Sequence, residues 1–485
     1  SASARRRRTI AAAEHFLHAG DRTHARSLLR AVLAEEPSGD ERASALLLLG
    51  RIRGHEDGLT DAACHLGEAL AHAVDPALRV TIALDLAFAI SNVGDLGRAL
   101  RLVGEALPQA QRMADPGLLA EALALFAAAK FTAGFGTDDG MLARARALED
   151  RSRAGQLALR PSSLAGMLLT CERRLDEADA LLRETSAWAA DRGEEGELPF
   201  LYSHLSAVEH WRGNFAASLR YAEEALDVAL QAQNATLLGI ALVRRAAARV
   251  MIGDVAGARA DFAEARARLQ RAGHAQAFSV LSANEALLEI SLGDDAALER
   301  VLASLLELVE ATGVAEPFAA EFVPDAVEAL ARLGKVARAA LLLDAFTAGA
   351  RRVQRRWALA AAARSRAVLD CARGDLGAAL AAADEAVARS SRLAMPVDLG
   401  RALLVLGHVR RRRGERRPAR SALERAAALF RDVGAPLWCE RVAEEVGRLP
   451  AARRGRTAGS TPVEAPVPSF AAVAAPAARP PRACS

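Results

Sequence analysis

Along most of the chain apolar residues return three and four positions apart, the spacing of one face of an α-helix, as in residues 80–93 and 236–252. These stretches end at a glycine, usually followed by Asp or Asn, with a small side chain five positions after the glycine: Gly213-Asn214 with Ser218, Gly253-Asp254 with Ala258, Gly374-Asp375 with Ala379. Gly293, Gly334 and Gly414 keep the same place, so successive steps are 40, 40, 41, 40 and 40 residues. Upstream, Gly20-Asp21 and Gly94-Asp95 belong to the series, and degenerate turns are expected near Asp57-Gly58, between Gly134 and Gly136, and at Arg173.

Each period reads as two helices. Glycine closes the first because it takes the left-handed conformation without a Cβ penalty, and the following Asp or Asn accepts a bond from the free N–H groups that open the second. A further small residue twelve after the glycine (Ala106, Ala225, Ala265, Ala386, Ala426) lets the two helices approach closely. Pro37, Pro76, Pro116, Gly313, Pro396 and Pro436 fall among the breakers between periods. One helical hairpin cannot bury its apolar face alone, so neighbours must stack. The pattern predicts an all-α fold, an α-solenoid of about eleven hairpins with a period near 40 residues. We divide the chain into a basic segment over 1–8, the solenoid over 9–450, and a disordered Pro/Ala-rich tail over 451–485, where six prolines and no helical spacing remain.

Composition narrows the class further. The 485 residues are 52% apolar but only 4% aromatic, so Leu and Ala carry the core, as suits long helices. Of 63 basic residues only Lys130 and Lys335 are lysines, and neither stands in the G-x-x-x-x-G-K-[ST] pattern of a phosphate loop. The formal charge is +3, with Arg5 to Arg8 and the last 35 residues each contributing about +4, which leaves about −5 for the body. A body of that sign offers no basic face for specific nucleic-acid binding. Five cysteines without a C-x-x-C pair suggest no disulfide framework and a cytoplasmic location. No apolar run reaches the roughly 18 residues of a membrane span, so no membrane partner is expected.

Catalytic and metal chemistry find little support. There is no H-E-x-x-H and no G-x-S-x-G; Cys64, His65 and His72 share one helix but supply too few ligands for a metal, and His15, His18 and His24 straddle the first turn as scattered surface residues. Gly134 to Gly140 imitates a dinucleotide loop with the wrong spacing and without a preceding strand. We expect no enzyme, no metal and no cofactor.

One set of positions stands apart. Nine residues before the turn glycines stand Asp85, His204, Arg244, Asn284, Asp325 and Ser365, among neighbours that are mostly Ala, Leu and Val. In a stacked array one helix position forms a ladder along the concave surface, so these side chains are candidates for a ligand or partner groove, with Trp211 as an aromatic anchor. The expected partner is a protein, peptide or small-molecule effector.

The repeat resembles the tetratricopeptide repeat in an extended form. More narrowly, Leu46-Leu47-Leu48-Leu49-Gly50-Arg51-Ile52, Asp75-Pro76-Ala77-Leu78-Arg79, Leu84-Asp85-Leu86-Ala87-Phe88-Ala89 and the run from Arg411-Arg412-Arg413-Gly414-Glu415 to Gly434-Ala435-Pro436-Leu437-Trp438 resemble the C-terminal half of the large ATP-binding transcriptional regulators of the LuxR family. In that family an ATPase domain precedes the repeats and a helix-turn-helix domain follows them. Neither carries over here: no nucleotide motif is present, and after Ser460-Thr461-Pro462-Val463-Glu464-Ala465, which is similar to the start of the family's DNA-binding domain, Pro466, Pro468 and Pro476 interrupt the helices that should follow. The resemblance implies a non-enzymatic scaffold, the sensor or coupling part of such a regulator; the alternative is a free-standing adaptor that recruits peptide or protein partners.

Overall fold

The computed structural model describes residues 2–449 apart from Asp57 and Ala154. The degenerate turn at Asp57-Gly58 is therefore only partly within it, and the tail over 451–485 lies outside the described residues. Among the described residues there are 23 α-helices and no strand. The helices pair into eleven hairpins, numbered here in chain order: 2–33, 39–72, 76–112, 116–147, 161–191, 198–231, 235–272, 275–312, 323–352, 356–390 and 396–432, with a last helix, Pro436–Gly447, stacked on the eleventh. The all-α repeat solenoid read from the glycine spacing is the fold.

The local chemistry follows the pattern. Gly20, Gly94, Gly213, Gly253, Gly293, Gly334, Gly374 and Gly414 all have positive φ, between 78° and 109°. Arg173 takes the same conformation at φ 62°, without a glycine. Asp95 and Asp254 each accept at 3.0 Å from the backbone N–H three residues on, and Asp375 does so at 2.9 Å, which opens the second helix of the hairpin. Ser218, Ala258 and Ala379 are sealed, and so are Ala106, Ala225, Ala265, Ala386 and Ala426. At Gly50, Gly166 and Gly407 an added Cβ would lie within 2.8, 2.6 and 2.6 Å of Leu66, Leu182 and Leu423, so each pair of helices touches across a bare backbone.

The two helices of a hairpin are buried unequally. Pro76–Val93 is buried around most of its circumference, whereas Leu96–Arg112 buries one stripe at 99, 103, 106, 107 and 110. First helices thus form an inner layer and second helices an outer one. This accounts for Pro76–Val93 and the segment 116–135, which do reach membrane-span length with mean hydropathies of 1.3 and 1.5, contrary to the expectation from sequence. More than half of each is buried inside the solenoid, 56% and 61%, as inner-layer helices require. The first helix begins at Ala2, so the basic run over 5–8 lies within hairpin 1, where Arg5 pairs with Glu35 at 2.7 Å and Arg6 with Glu41 at 2.6 Å.

Winding brings each hairpin against the one five units later. Arg22 donates to the Ala232 carbonyl at 2.5 Å, Asn234 Nδ2 donates to His55 Nδ1 at 2.8 Å, and Gln276 donates to the Ser91 carbonyl at 3.0 Å. Arg352 reaches the Gly134 carbonyl at 3.2 Å, and the Trp357 indole donates to the Cys171 carbonyl at 3.1 Å. Gly213 abuts Pro396 and Val433, and Gly253 abuts Pro436. Five hairpins therefore make one superhelical turn, and consecutive turns rest on each other along their edges.

Candidate functional site

All seven sequence-predicted groove residues lie on inner-layer helices, as their register requires, but contact between turns replaces one open groove with separate cavities. Asp85 is buried and paired: Arg51 Nε donates to it at 2.6 Å and Gln156 Nε2 at 3.0 Å. It borders a cavity of about 160 Å³ whose wall is mainly apolar, Ala and Leu with Phe88, Phe200 and Ile240, and also carries Arg51, His55, Glu197 and His274. Trp211, Asn284 and Asp325 line a second cavity of about 70 Å³. Asn284 turns back to its own helix, donating to the Val280 carbonyl at 2.8 Å. Ser365 is fully buried and donates to the Pro324 carbonyl at 3.0 Å, so it presents nothing to a ligand. His204 and Arg244 stand between the two cavities: Phe200 and Ile240, one helical turn before them, line the first, and Trp211 and Asn284 line the second.

Asp325 belongs to a buried ion cluster. Arg364 lies 3.3 Å from it, Arg401 also contacts it, and Glu328 holds Arg364 at 2.6 Å and Arg401 at 3.6 Å. Burial alone would raise the Glu328 carboxyl, but Arg364, Arg401 and Arg332 outweigh it and hold the group at about 2. Arg401 also lies 4.8 Å from the Trp438 ring centroid. Arg332 approaches Glu328 at 3.9 Å and Asp398 lies 3.4 Å from Arg364, so three cations and three carboxylates meet here.

A different arrangement surrounds Trp211. Arg173 projects from its left-handed turn and lies 3.8 Å from the centroid of Trp211 and 4.9 Å from that of Trp357, while its guanidinium pairs with Glu321 at 2.8 Å. Arg244 is near enough to feel Glu321 and Arg173, yet its Nε is sealed from solvent and has no hydrogen-bond partner. The Nδ1 atoms of His204 and His210 are likewise buried and unpartnered. Burial first, and then Arg244, holds both imidazoles at about 3, so they are neutral at physiological pH; Arg173 adds to the effect on His210. Burial also pushes the Cys171 thiol up to about 12, which removes it as a nucleophile. Among the described residues no three His, Cys, Asp or Glu side chains converge as metal ligands.

Sequence spacing pointed to Asp85, Arg244 and Asp325 but missed Arg51, Arg173, Arg364, Arg401 and Glu328, which occupy other places in the repeat. One signal in the sequence could have found several of them. Opposite charges separated by about one period recur, as in Arg51 with Asp85, Asp325 with Arg364 and Asp295 with Arg332.

No family model matches the chain, and no curated protein sequence matches it. Solved structures match its fold. A Rap protein complexed with competence and sporulation factor superposes with a TM-score of 0.52 at 14% identity, covering 76% of this chain and 99% of the other. Aspartyl phosphate phosphatase F from Bacillus subtilis gives a TM-score of 0.40 at 12% identity, covering 70% and 92%. Yeast Tom70 gives 0.33 at 14% identity, covering 92% and 97%. At such identities the likeness concerns the fold, a tetratricopeptide-like helical solenoid.

Proposed function

We propose that this chain is a non-enzymatic scaffold that takes a peptide or protein effector along its inner surface, and that it is the sensor or coupling part of a LuxR-type transcriptional regulator. The observation that carries the binding reading is the pair of cavities on the inner layer, one walled by Phe200 and Ile240 and the other by Trp211 and Asn284, with the sealed and unpartnered Arg244 Nε and Nδ1 atoms of His204 and His210 on the same inner helices. The Rap structure, solved with competence and sporulation factor, supports it as a precedent for a helical solenoid that binds such a factor. The regulator reading rests on the resemblance of the Leu-rich helix at 46–52, the Asp75-Pro76 start and the run over 411–438.

Peptides selected from a random display library on the purified chain, followed by hydrogen-exchange mapping, test the first part. Protection concentrated in Pro76–Val93, Ala235–Ile252 and Ala275–Leu292 is expected; protection confined to the outer helices, or no peptide retained, overturns it. Sequencing the neighbouring DNA tests the second. An upstream ATPase frame or a downstream helix-turn-helix frame is expected, and the absence of both favours the free-standing adaptor.

A further inference from the structure

Arg244 differs from the other inner arginines in how its charge is met. Arg364 and Arg401 each touch both Asp325 and Glu328. Arg244 has no such contact among the described residues: its Nε is sealed and donates to nothing, and the nearby Glu321 is already held by Arg173 at 2.8 Å. Arg244 is partly buried and a guanidinium does not shed its proton, so the sealed part of its charge costs stability until an anion or water meets it. The Arg244 charge also acts on two imidazoles whose Nδ1 atoms are buried and without partners among the described residues, those of His204 and His210. The His204 ring meets Phe200 edge-on at 4.9 Å, and Phe200 forms part of the wall of the apolar cavity of about 160 Å³.

The local charges limit what can bind. Arg173 and Arg244 contribute two positive charges and Glu321 one negative, so a single unit of positive charge is left over. A monoanion balances it. A dianionic phosphate would exceed it and face Glu321 at short range.

We propose that Arg244, flanked by His204 and His210, seats a carboxylate of the effector, whose adjoining apolar group occupies the cavity of about 160 Å³ beyond Phe200. The arginine supplies the charge, and a neutral imidazole supplies an N–H donor or an acceptor according to its tautomer. The class of ligand is a carboxylate next to an apolar group, carried either by a short peptide or by a small organic acid. This deepens the reading of an inner effector surface and rests on it, although the seat itself can be tested without knowing the effector.

The probes are hexanoate, hexanamide and inorganic phosphate, measured by calorimetry and thermal melting on the whole chain and on Arg244→Met. Saturable hexanoate binding to the natural sequence is expected, weakened about tenfold or more in the variant, as loss of one charge-assisted bond predicts. Hexanamide and phosphate should bind far more weakly. Without ligand, Arg244→Met should melt at or above the natural protein, because a partly buried cation with a sealed, unpartnered Nε is replaced by an apolar side chain of similar length. A clear fall in the unliganded melting temperature would show Arg244 to be structural and would overturn the proposal. So would hexanoate bound equally by the variant, hexanamide or phosphate bound as tightly as hexanoate, or no saturable hexanoate binding at millimolar concentrations. A selected peptide that binds the inner helices of both proteins equally removes the seat and leaves the effector surface standing. Hexanoate binding with no peptide retained leaves the seat and removes the peptide reading, and a short peptide binding with its carboxylates free but not when they are amidated identifies the peptide source.

Discussion

Replacing Asp325 with Ala removes a carboxylate shared by two buried arginines. Arg364 and Arg401 have side chains only 4% and 8% exposed, so neither can swing into water to recover its hydration. After the change, two guanidinium charges share Glu328, with Asp398 3.4 Å from Arg364 as the remaining neighbour. Removing one partner from a buried ion network costs about 3–5 kcal/mol, because the charge left behind is uncompensated. Had Asp325 lined an open, wet groove, the cost would have stayed within about 0.5 kcal/mol. One substitution therefore separates the two descriptions of the inner surface.

Repeat arrays need not unfold in one step, so one melting temperature does not say which hairpins lost stability. Native-state hydrogen exchange reports each helix separately. The Asp325→Ala protein should lose about 3–5 kcal/mol of protection in Val323–Arg332, Arg356–Ala372 and Pro396–Arg412, while Gly39–His55, far along the array, keeps its own. Replacing Asp325 and Arg401 together with Leu and Met restores the charge balance and should recover much of the loss. A loss below about 1 kcal/mol, or one spread evenly over all hairpins, would refute the assignment of a buried network.

Other substitutions probe the remaining features. Gly374→Ala meets open space at φ +83° and should cost only the left-handed strain of about 1–2 kcal/mol, whereas Gly213→Ala, whose Cβ would lie 2.8 Å from both Pro396 and Val433, should cost more and increase proteolysis in the last hairpin; equal urea midpoints for the two would count against contact between turns. Ala258→Leu, at a fully buried position between paired helices, should cost about 1–3 kcal/mol by urea unfolding, and a silent change would show that the hairpin interior has spare room. Burial, partly opposed by Arg153, raises the Glu121 carboxyl from its usual 4.5 to about 7. The folded chain then keeps a proton that the unfolded chain loses, so stability present below pH 4.5 is lost as the pH rises to 7, by about 3 kcal/mol at most. Glu121→Gln should therefore raise the urea midpoint at pH 8 and leave it unchanged near pH 4; the same effect at both would place the cause elsewhere.

The hairpins could be read from sequence because their signals are local. Gly253 takes the left-handed conformation and Asp254 caps the next helix with the residues on either side as partners, whatever lies further away. Ala258 and Ala265 sit one and three turns into the same helix, where their size decides how closely its partner can lie. Superhelical closure has no such signature. Asn234 with His55, Gln276 with Ser91 and Trp357 with Cys171 join residues 179, 185 and 186 apart, and whether they meet depends on small packing angles accumulated over five hairpins rather than on any one residue.

That closure also explains why the polar ladder was found and its environment was not. A polar side chain repeated on the inner helix suggests a wet surface if the array stays open, because water can then solvate each member. When consecutive turns touch, the same position is largely cut off from solvent, and a charge there needs a protein partner. Partners at about one or two periods are what the chain supplies: Arg51 for Asp85 at 34 residues, Arg364 for Asp325 at 39, Arg401 for Asp325 at 76. Spacing of opposite charges near the repeat length thus marks a buried inner layer, in the way that spacing of glycines marks the turns. By the same rule an inner arginine with no carboxylate in contact among the described residues is where we place an outside anion, and Arg244, whose Nε is sealed and unpartnered, is such a residue.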